Sequence, residues 1–340
     1  MRTILIVKTG ALGDVLRTTV LLEGLMEKYT NPRVFWLTSD VAKPLLENNP
    51  YIEKLYFKEN LDKDIFSRKY DLVISLEEDK HILDIVTKIS FSRLFGVYLD
   101  DSRLKYTQRS SAWYDMSLIS RHGRETADKL KKTNLFSYSE ILYRLLDLNW
   151  TKQRYRLFLI KKDIKYANDL RRKLDLSKPI IGIGVGAGKR WPMKSLPKDR
   201  QISLIKKIRK KFGNKVNILL LTGPDELELS KTNGIKEKCP YVLTHKVQDL
   251  EQFIGIVNLC NVIITPDSLT VHIGISLNKF VICYFTVTSA EEIELYTGVK
   301  IVADHLDFCS YTTKDKHRPN ITDSIDIDAI LSAVTSVINL

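Results

Sequence analysis

The opening of the chain constrains the fold most. Ile4-Leu5-Ile6-Val7 is an apolar run of strand length, and Lys8-Thr9-Gly10-Ala11-Leu12-Gly13-Asp14 follows as a glycine-bearing turn. An apolar-periodic helix is expected to start near Asp14 and to fill Val15–Tyr29. Strand, turn and helix in that order begin an α/β unit, and ligands of such sheets bind at their C-terminal edge. A carboxylate at that edge can act as a base, which a bare phosphate loop cannot.

The same rhythm continues along the chain. Strands are expected at Ile4–Val7, Val34–Leu37, Lys54–Phe57, Leu72–Ser75 and Arg93–Val97, with further helices at Lys43–Glu47 and Asp79–Lys88. This alternation predicts a mostly parallel sheet covered on both faces. It lapses from Asp100 to about Phe136, a polar, basic and aromatic stretch, and a helix follows at Tyr138–Leu148. A second alternation begins with helix Lys161–Leu174 and strand Pro179–Val185. Strands Val216–Leu221, Val262–Thr265 and Phe280–Tyr284 follow. They are interleaved with helices Leu196–Phe212, Asp225–Lys231, Leu250–Asn258 and Leu269–Ser276, and Asp326–Leu340 closes the pattern as a helix. The expectation is two Rossmann-like halves, 1–160 and 161–340, joined near 150–177, with the cleft between them as the natural site.

Composition narrows the class. A chain of 340 residues favours two domains. It has no apolar run long enough to span a membrane and too few apolar residues before Lys8 for a signal peptide. Cys239, Cys260, Cys283 and Cys309 are widely spaced, as in reduced residues of a cytoplasmic protein. The net charge of +12 favours an anionic partner: phosphorylated lipid, phospholipid headgroups or nucleic acid. Charge alone does not choose among them. The cations Lys206, Lys207, Arg209, Lys210 and Lys211 read as the solvated face of one helix.

Four strand-to-helix turns carry polar tips. The first lacks both the Walker pattern and GxGxxG; its Gly10 and Gly13 could supply a tight turn, and Asp14 could serve as helix N-cap, as base, or as both. The second, Gly186-Ala187-Gly188-Lys189-Arg190-Trp191-Pro192, combines glycines with two cations, which suits a diphosphate at a helix start. The third, Thr222-Gly223-Pro224-Asp225-Glu226, brings carboxylates able to hold ribose hydroxyls or simply to favour the helix dipole. The fourth, Thr265-Pro266-Asp267-Ser268-Leu269-Thr270-Val271-His272, puts His272 one turn after Ser268 on the same helical face.

Together with Pro44-Leu45-Leu46-Glu47-Asn48-Asn49-Pro50 and Tyr70-Asp71-Leu72-Val73-Ile74, these turns resemble glycosyltransferase family 9, the lipopolysaccharide heptosyltransferases, over almost the whole length. The resemblance implies a GT-B fold, with an N-terminal acceptor-binding domain and a C-terminal nucleotide-sugar-binding domain facing a central cleft. It implies inverting transfer of a heptose or related sugar, with ADP-heptose as co-substrate and no metal or other cofactor. Asp14 falls on the family's proposed base, and Lys189 on the position proposed to stabilise the leaving diphosphate. Gly188, Arg190, Glu226, Asp267, Ser268, Leu269 and His272 fall on the donor side; Lys8, Gly13 and Arg17 fall on the acceptor side. The basic-aromatic segment Arg103–Tyr114 is a candidate acceptor-facing loop. The implied partners are a nucleotide-sugar and an anionic lipid-linked glycan, with peripheral contact at the inner membrane surface and no nucleic acid. Two departures lie on the donor side: Leu269 replaces the family's glycine, and Phe285-Thr286-Val287-Thr288 stands where Phe-Gly-Pro-Thr is usual. They leave open a GT-B relative with another donor, an epimerase, or a non-catalytic anionic-glycolipid binding protein.

Overall fold

The computed structural model describes residues 2–188, 191–223, 226–304 and 321–338, the side chains of Pro192, Glu226 and Leu227 excepted. The chain divides into two units. The first comprises Met1–Phe158 and the returning segment Glu291–Glu294; the second comprises Leu159–Ala290 and Leu295–Leu340. The polar stretch Trp150–Arg156 therefore belongs with the first unit, and the return of Glu291–Glu294 has no sequence signal.

The first unit contains β1 (Thr3–Val7), β2 (Arg33–Thr38), β3 (Lys54–Phe57), β4 (Lys69–Tyr70), β5 (Leu72–Ser75), β6 (Ser90–Phe91), β7 (Leu94–Asp100) and β8 (Arg103–Tyr106). Its main sheet runs β3-β2-β1-β5-β7-β8, parallel except for the antiparallel pair β7–β8. The apolar run of β1 has neighbours on both sides, Ile6 pairing with Trp36 and with Ile74. A strand covered on both faces must be apolar throughout, and Ile4 to Val7 are fully buried. Helix Lys80–Val86 packs Ile82, Leu83 and Val86 into the core formed by Leu5, Val7, Phe35 and Val73.

The second unit repeats the plan with β9 (Ile180–Gly184), β10 (Asn217–Leu221), β11 (Leu243–Thr244), β12 (Val262–Pro266), β13 (Phe280–Phe285) and β14 (Gly298–Val302), ordered β11-β10-β9-β12-β13-β14. All its pairings are parallel. Helix Lys198–Phe212 buries Ile205 and Ile208, and helix Ile327–Val337 buries Ile330 and Val334, against Ile183, Ile218 and Ile264. Lys206, Lys210 and Lys211 on the first of these helices are exposed. Lys207 instead pairs with Asp328 and Arg209 lies over Tyr241. Cys239, Cys260 and Cys283 are free and buried, while Cys309 lies outside the described residues.

Three local expectations need correction. The opening helix is two helices, Leu12–Thr18 and Val20–Lys28, separated at Thr19. Ala11 is the N-cap of the first, so Gly13 and Asp14 lie inside its first turn, and Asp14 is not the cap. The stretch 100–136, where the rhythm lapses, holds regular structure: β8 and helices Ser111–Tyr114 and Gly123–Thr133. Tyr114 is buried in the core, so Arg103–Tyr114 is an edge strand and a packed helix. Helix Glu226–Lys238 extends well past the expected Lys231.

Gly96 sits at φ +103°, where a Cβ would meet the Ser75 carbonyl oxygen at 1.9 Å. Gly123 has φ +79° but open space around it. Gly96→Ala should therefore lower unfolding free energy by more than about 3 kcal/mol, and Gly123→Ala by about 1 kcal/mol. Urea denaturation of the two variants checks the ordering, and equal losses would remove the steric account.

Candidate functional site

In each unit the strand order reverses once, between β1 and β5 and between β9 and β12. Such reversals open a crevice at the C-terminal ends of the strands, where open α/β sheets bind ligands. Lys8, Gly13, Asp14 and Arg17 lie at the first of these places, and Gly188, Asp267, Ser268, Leu269 and His272 at the second.

At the first, Val7 pairs with Ser75, and the two chains then diverge into Lys8-Thr9-Gly10 and Leu76-Glu77-Glu78. Glu77, 8% exposed, holds the turn. Its Oε2 accepts from the Thr9 amide at 2.7 Å, the Thr9 hydroxyl at 2.8 Å and the Gly10 amide at 3.3 Å. From the other side, Trp36 Nε1 donates to the Lys8 carbonyl and Ser39 Oγ to the Thr9 carbonyl. Lys8 reaches across, Nζ donating to the Leu76 carbonyl at 3.2 Å and lying 3.7 Å from Glu77. Burial pulls the Lys8 ammonium down, but the charges of Asp14, Glu77, Tyr138 and Glu78 outweigh it and raise its pKa above the ordinary lysine value.

Asp14 lies in the first turn of helix Leu12–Thr18, where the helix dipole favours a carboxylate. Its side chain is 35% exposed and accepts Arg17 at 2.8 Å. Arg17 is oriented in turn by Tyr138, whose ring centroid is 4.0 Å from the guanidinium carbon, and the Tyr138 hydroxyl bonds Thr18 at 2.9 Å. Lys8, Asp14 and Arg17 are thus brought together. Glu77 was not legible in the sequence, because its partners are backbone groups 67 and 68 positions away.

At the second reversal, the turn after β9 carries Gly186 and Gly188, and Asp267 and Ser268 follow the end of β12. Asp267 Oδ2 accepts Lys194 Nζ at 2.7 Å, with both side chains about one-sixth exposed, at 16% and 15%. Burial would raise the Asp267 pKa, but Lys194 and then His272 outweigh it, with help from the Thr288 hydroxyl, and hold the carboxyl well below the usual range. Ser268 is the N-cap of helix Leu269–Ser276 without bonding it through its side chain; its hydroxyl meets Thr265 Oγ1 at 3.2 Å instead. Asp79, Ser137, Asp249 and Asp326 do cap their helices through side chains. Leu269 is the first helical residue and His272 is 5% exposed.

Lys189 and Arg190 lie outside the described residues, and Glu226 opens its helix with its side chain undescribed. The carboxylate that organises this end is Glu228, which the sequence did not single out. Its Oε1 accepts the Gly188 amide at 3.1 Å and its Oε2 the Gly223 amide at 3.0 Å. A Cβ on Gly186 would fall 2.4 Å from Glu228 Oε1, so the glycine makes room for this clamp. Lys231, one turn further, donates to the carbonyls of Val185 at 2.9 Å and Leu196 at 2.5 Å. Burial pulls its ammonium down to about 8, only partly opposed by Glu228. Lys194 was also missed, since the sequence reading stopped at Pro192. Among the described residues, no three His, Cys, Asp or Glu side chains converge as metal ligands would.

The profile of glycosyltransferase family 9 (heptosyltransferase) matches residues 102–321, well over half of the chain. The chain belongs to glycosyltransferase family 9. This family 9 enzyme is 25% identical over 348 residues to lipopolysaccharide heptosyltransferase 1 of Campylobacter coli, covering 92% of this chain and 96% of that one. Its fold matches the family 9 glycosyltransferase of Veillonella parvula at 17% identity and a TM-score of 0.76, over 99% and 97% of the two chains. It also matches E. coli heptosyltransferase WaaC with ADP-2-deoxy-2-fluoro heptose at 14% identity and a TM-score of 0.64, over 98% and 99%. The two parallel-sheet units are those of the GT-B fold.

The part-buried Asp267–Lys194 pair makes a pH prediction. The folded pKa of Asp267 lies below its unfolded value near 3.9, so its stabilisation is present above that value and is lost as pH falls below it. Lys194→Met should cost about 3 kcal/mol at neutral pH by stranding the carboxylate, and Asp267→Asn added to it should recover part of that loss. Chemical denaturation of the single and double variants measures this; a neutral Lys194→Met would remove the pairing.

Proposed function

We propose that this family 9 enzyme transfers heptose from ADP-heptose, with inversion, to an anionic lipid-linked glycan such as a lipopolysaccharide core, on the cytoplasmic side of the inner membrane. The observation that carries the reading is Asp14: a part-exposed carboxylate, fixed in a helical first turn at the β1–β5 reversal and ringed by Lys8 and Arg17. In the proposed reaction the acceptor hydroxyl oxygen attacks the anomeric carbon opposite the diphosphate. A carbon–oxygen bond forms, the bond to the diphosphate breaks, and its electron pair leaves with the nucleotide. Asp14 takes the hydroxyl proton, a step worth about a hundredfold to ten-thousandfold in rate.

The second unit takes the donor in this reading. The helix start at Ser268 and Leu269 offers backbone N–H groups, and Lys189 and Arg190 offer charge to the leaving diphosphate without a metal. Lys194 is committed to Asp267, so it sets that carboxylate rather than the leaving group. Heptose as the transferred sugar is supported by the likeness to the Campylobacter coli heptosyltransferase, and ADP as its carrier by the likeness to WaaC with its ADP-2-deoxy-2-fluoro heptose.

Transfer of labelled heptose by Asp14→Ala should fall by about a hundredfold or more in kcat with the KM for donor little changed. Wild-type turnover in that variant would remove Asp14 as the base.

A further inference from the structure

We propose that the stretch 130–136 of the first unit is a docking face for an anionic lipid bilayer. Leu130, Leu135 and Phe136 are 39%, 77% and 41% exposed. Among the described residues, the other large exposed apolar side chains (Val41, Tyr51, Ile160, Ile164 and Val302) are spread over both units. Three within one short stretch form a patch that water disfavours.

The patch is held rather than loose. Asn134 Oδ1 accepts the Phe136 amide at 3.1 Å and its Nδ2 donates to the Phe136 carbonyl at 2.8 Å, so Leu135 stands at the tip of a pinned turn. Ser137 then caps the next helix through Glu140.

Charge names the occupant. Helix Gly123–Thr133 turns Ala127, Asp128 and Lys131 inward, and leaves Arg124, Lys129 and Lys132 exposed. Arg144 lies 4.4 Å from the Phe136 ring centroid and pairs with Glu140. The exposed acid Glu125 is taken up by Lys129 at 2.9 Å. Exposed apolar side chains in a stretch whose exposed charge is mostly cationic fit the interface of a bilayer whose headgroups are negative. Nucleic acid would use the cations but not Leu135. A stable protein interface needs a far larger apolar centre than three side chains.

The position deepens the acceptor reading and rests on it for its purpose. Phe136 is two residues from Tyr138, which packs on Arg17 and bonds Thr18, and Arg17 pairs with Asp14. A bilayer at this face would lie on the side of the first unit where a lipid-linked acceptor is needed.

Co-sedimentation of the full chain with phosphatidylethanolamine vesicles, with and without phosphatidylglycerol, tests the face without donor or acceptor. A failed transfer reaction and a failed membrane contact are therefore distinguishable. Wild type should bind only the anionic vesicles, and less as salt rises. Leu135→Ser with Phe136→Ser should weaken binding about tenfold or more, with the melting temperature unchanged. Arg124→Gln with Lys132→Gln should also weaken it about tenfold or more, at about fivefold per lost cation, and flatten the salt dependence. If the double serine variant loses melting temperature, Leu135→Ser alone carries the test, since that side chain is the most exposed. Absent or equal binding to both vesicles, or serine variants that bind as wild type, would overturn the proposal. So would a wild-type dimer that Leu135→Ser dissolves, which would assign the patch to a second copy.

Discussion

A carboxylate that accepts backbone N–H groups, buried in Glu77 and half-buried in Glu228, sets the working turn in each unit. Glu77 ties Thr9 and Gly10 to the end of β5, and Glu228 ties Gly188 to Gly223. Turns at the ends of central strands carry amides that no sheet partner satisfies. Leaving one buried and unpaired costs about 1–3 kcal/mol, and a charged acceptor binds it more strongly than a neutral one. The clamp fixes the backbone from which Asp14 projects in the first unit, and the loop that precedes Lys189 in the second. Gly186 exists as a glycine because Glu228 occupies the space of its Cβ.

Each clamp comes with a cation that balances it. Lys8 lies between the charges of Glu77 and Asp14, and Lys231 spans the carbonyls of Val185 and Leu196 beside Glu228. The Asp267–Lys194 pair adds a third balanced group at the helix start of Leu269. Such balanced pairs leave the net charge of the chain at +12, which favours anionic partners.

The central strands were legible because burial on both faces demands unbroken apolar runs, and β1, β5, β9 and β12 have them. Helix Leu269–Ser276 was legible to the residue. The stretch 100–136 was not, for a physical reason. β8 is an edge strand alternating between exposed and half-buried, and helix Gly123–Thr133 buries Asp128 and Lys131 beside a single alanine. Lys131 is neutralised by Glu292, which arrives from the returning segment. That helix has too few apolar residues for a hydrophobic stripe to be read. Glu77 and Glu228 were missed for a related reason: a side chain that bonds distant backbone leaves no local pattern. Of the predicted site, the structure gathers Lys8, Asp14 and Arg17, and separately Asp267, Ser268 and His272. The helical place of Gly13 and the non-capping role of Asp14 follow from a helix that starts at Leu12, earlier than periodicity alone indicates.

The central claim is a division of labour, with the base on the first unit and the nucleotide on the second. Calorimetric titration with ADP of Asp14→Asn and Glu228→Gln tests it most directly. The account predicts wild-type affinity in Asp14→Asn and a loss of about tenfold or more in Glu228→Gln, whose clamp on the Gly188 and Gly223 amides is weakened. Loss of ADP binding in Asp14→Asn, with binding retained in Glu228→Gln, would contradict it.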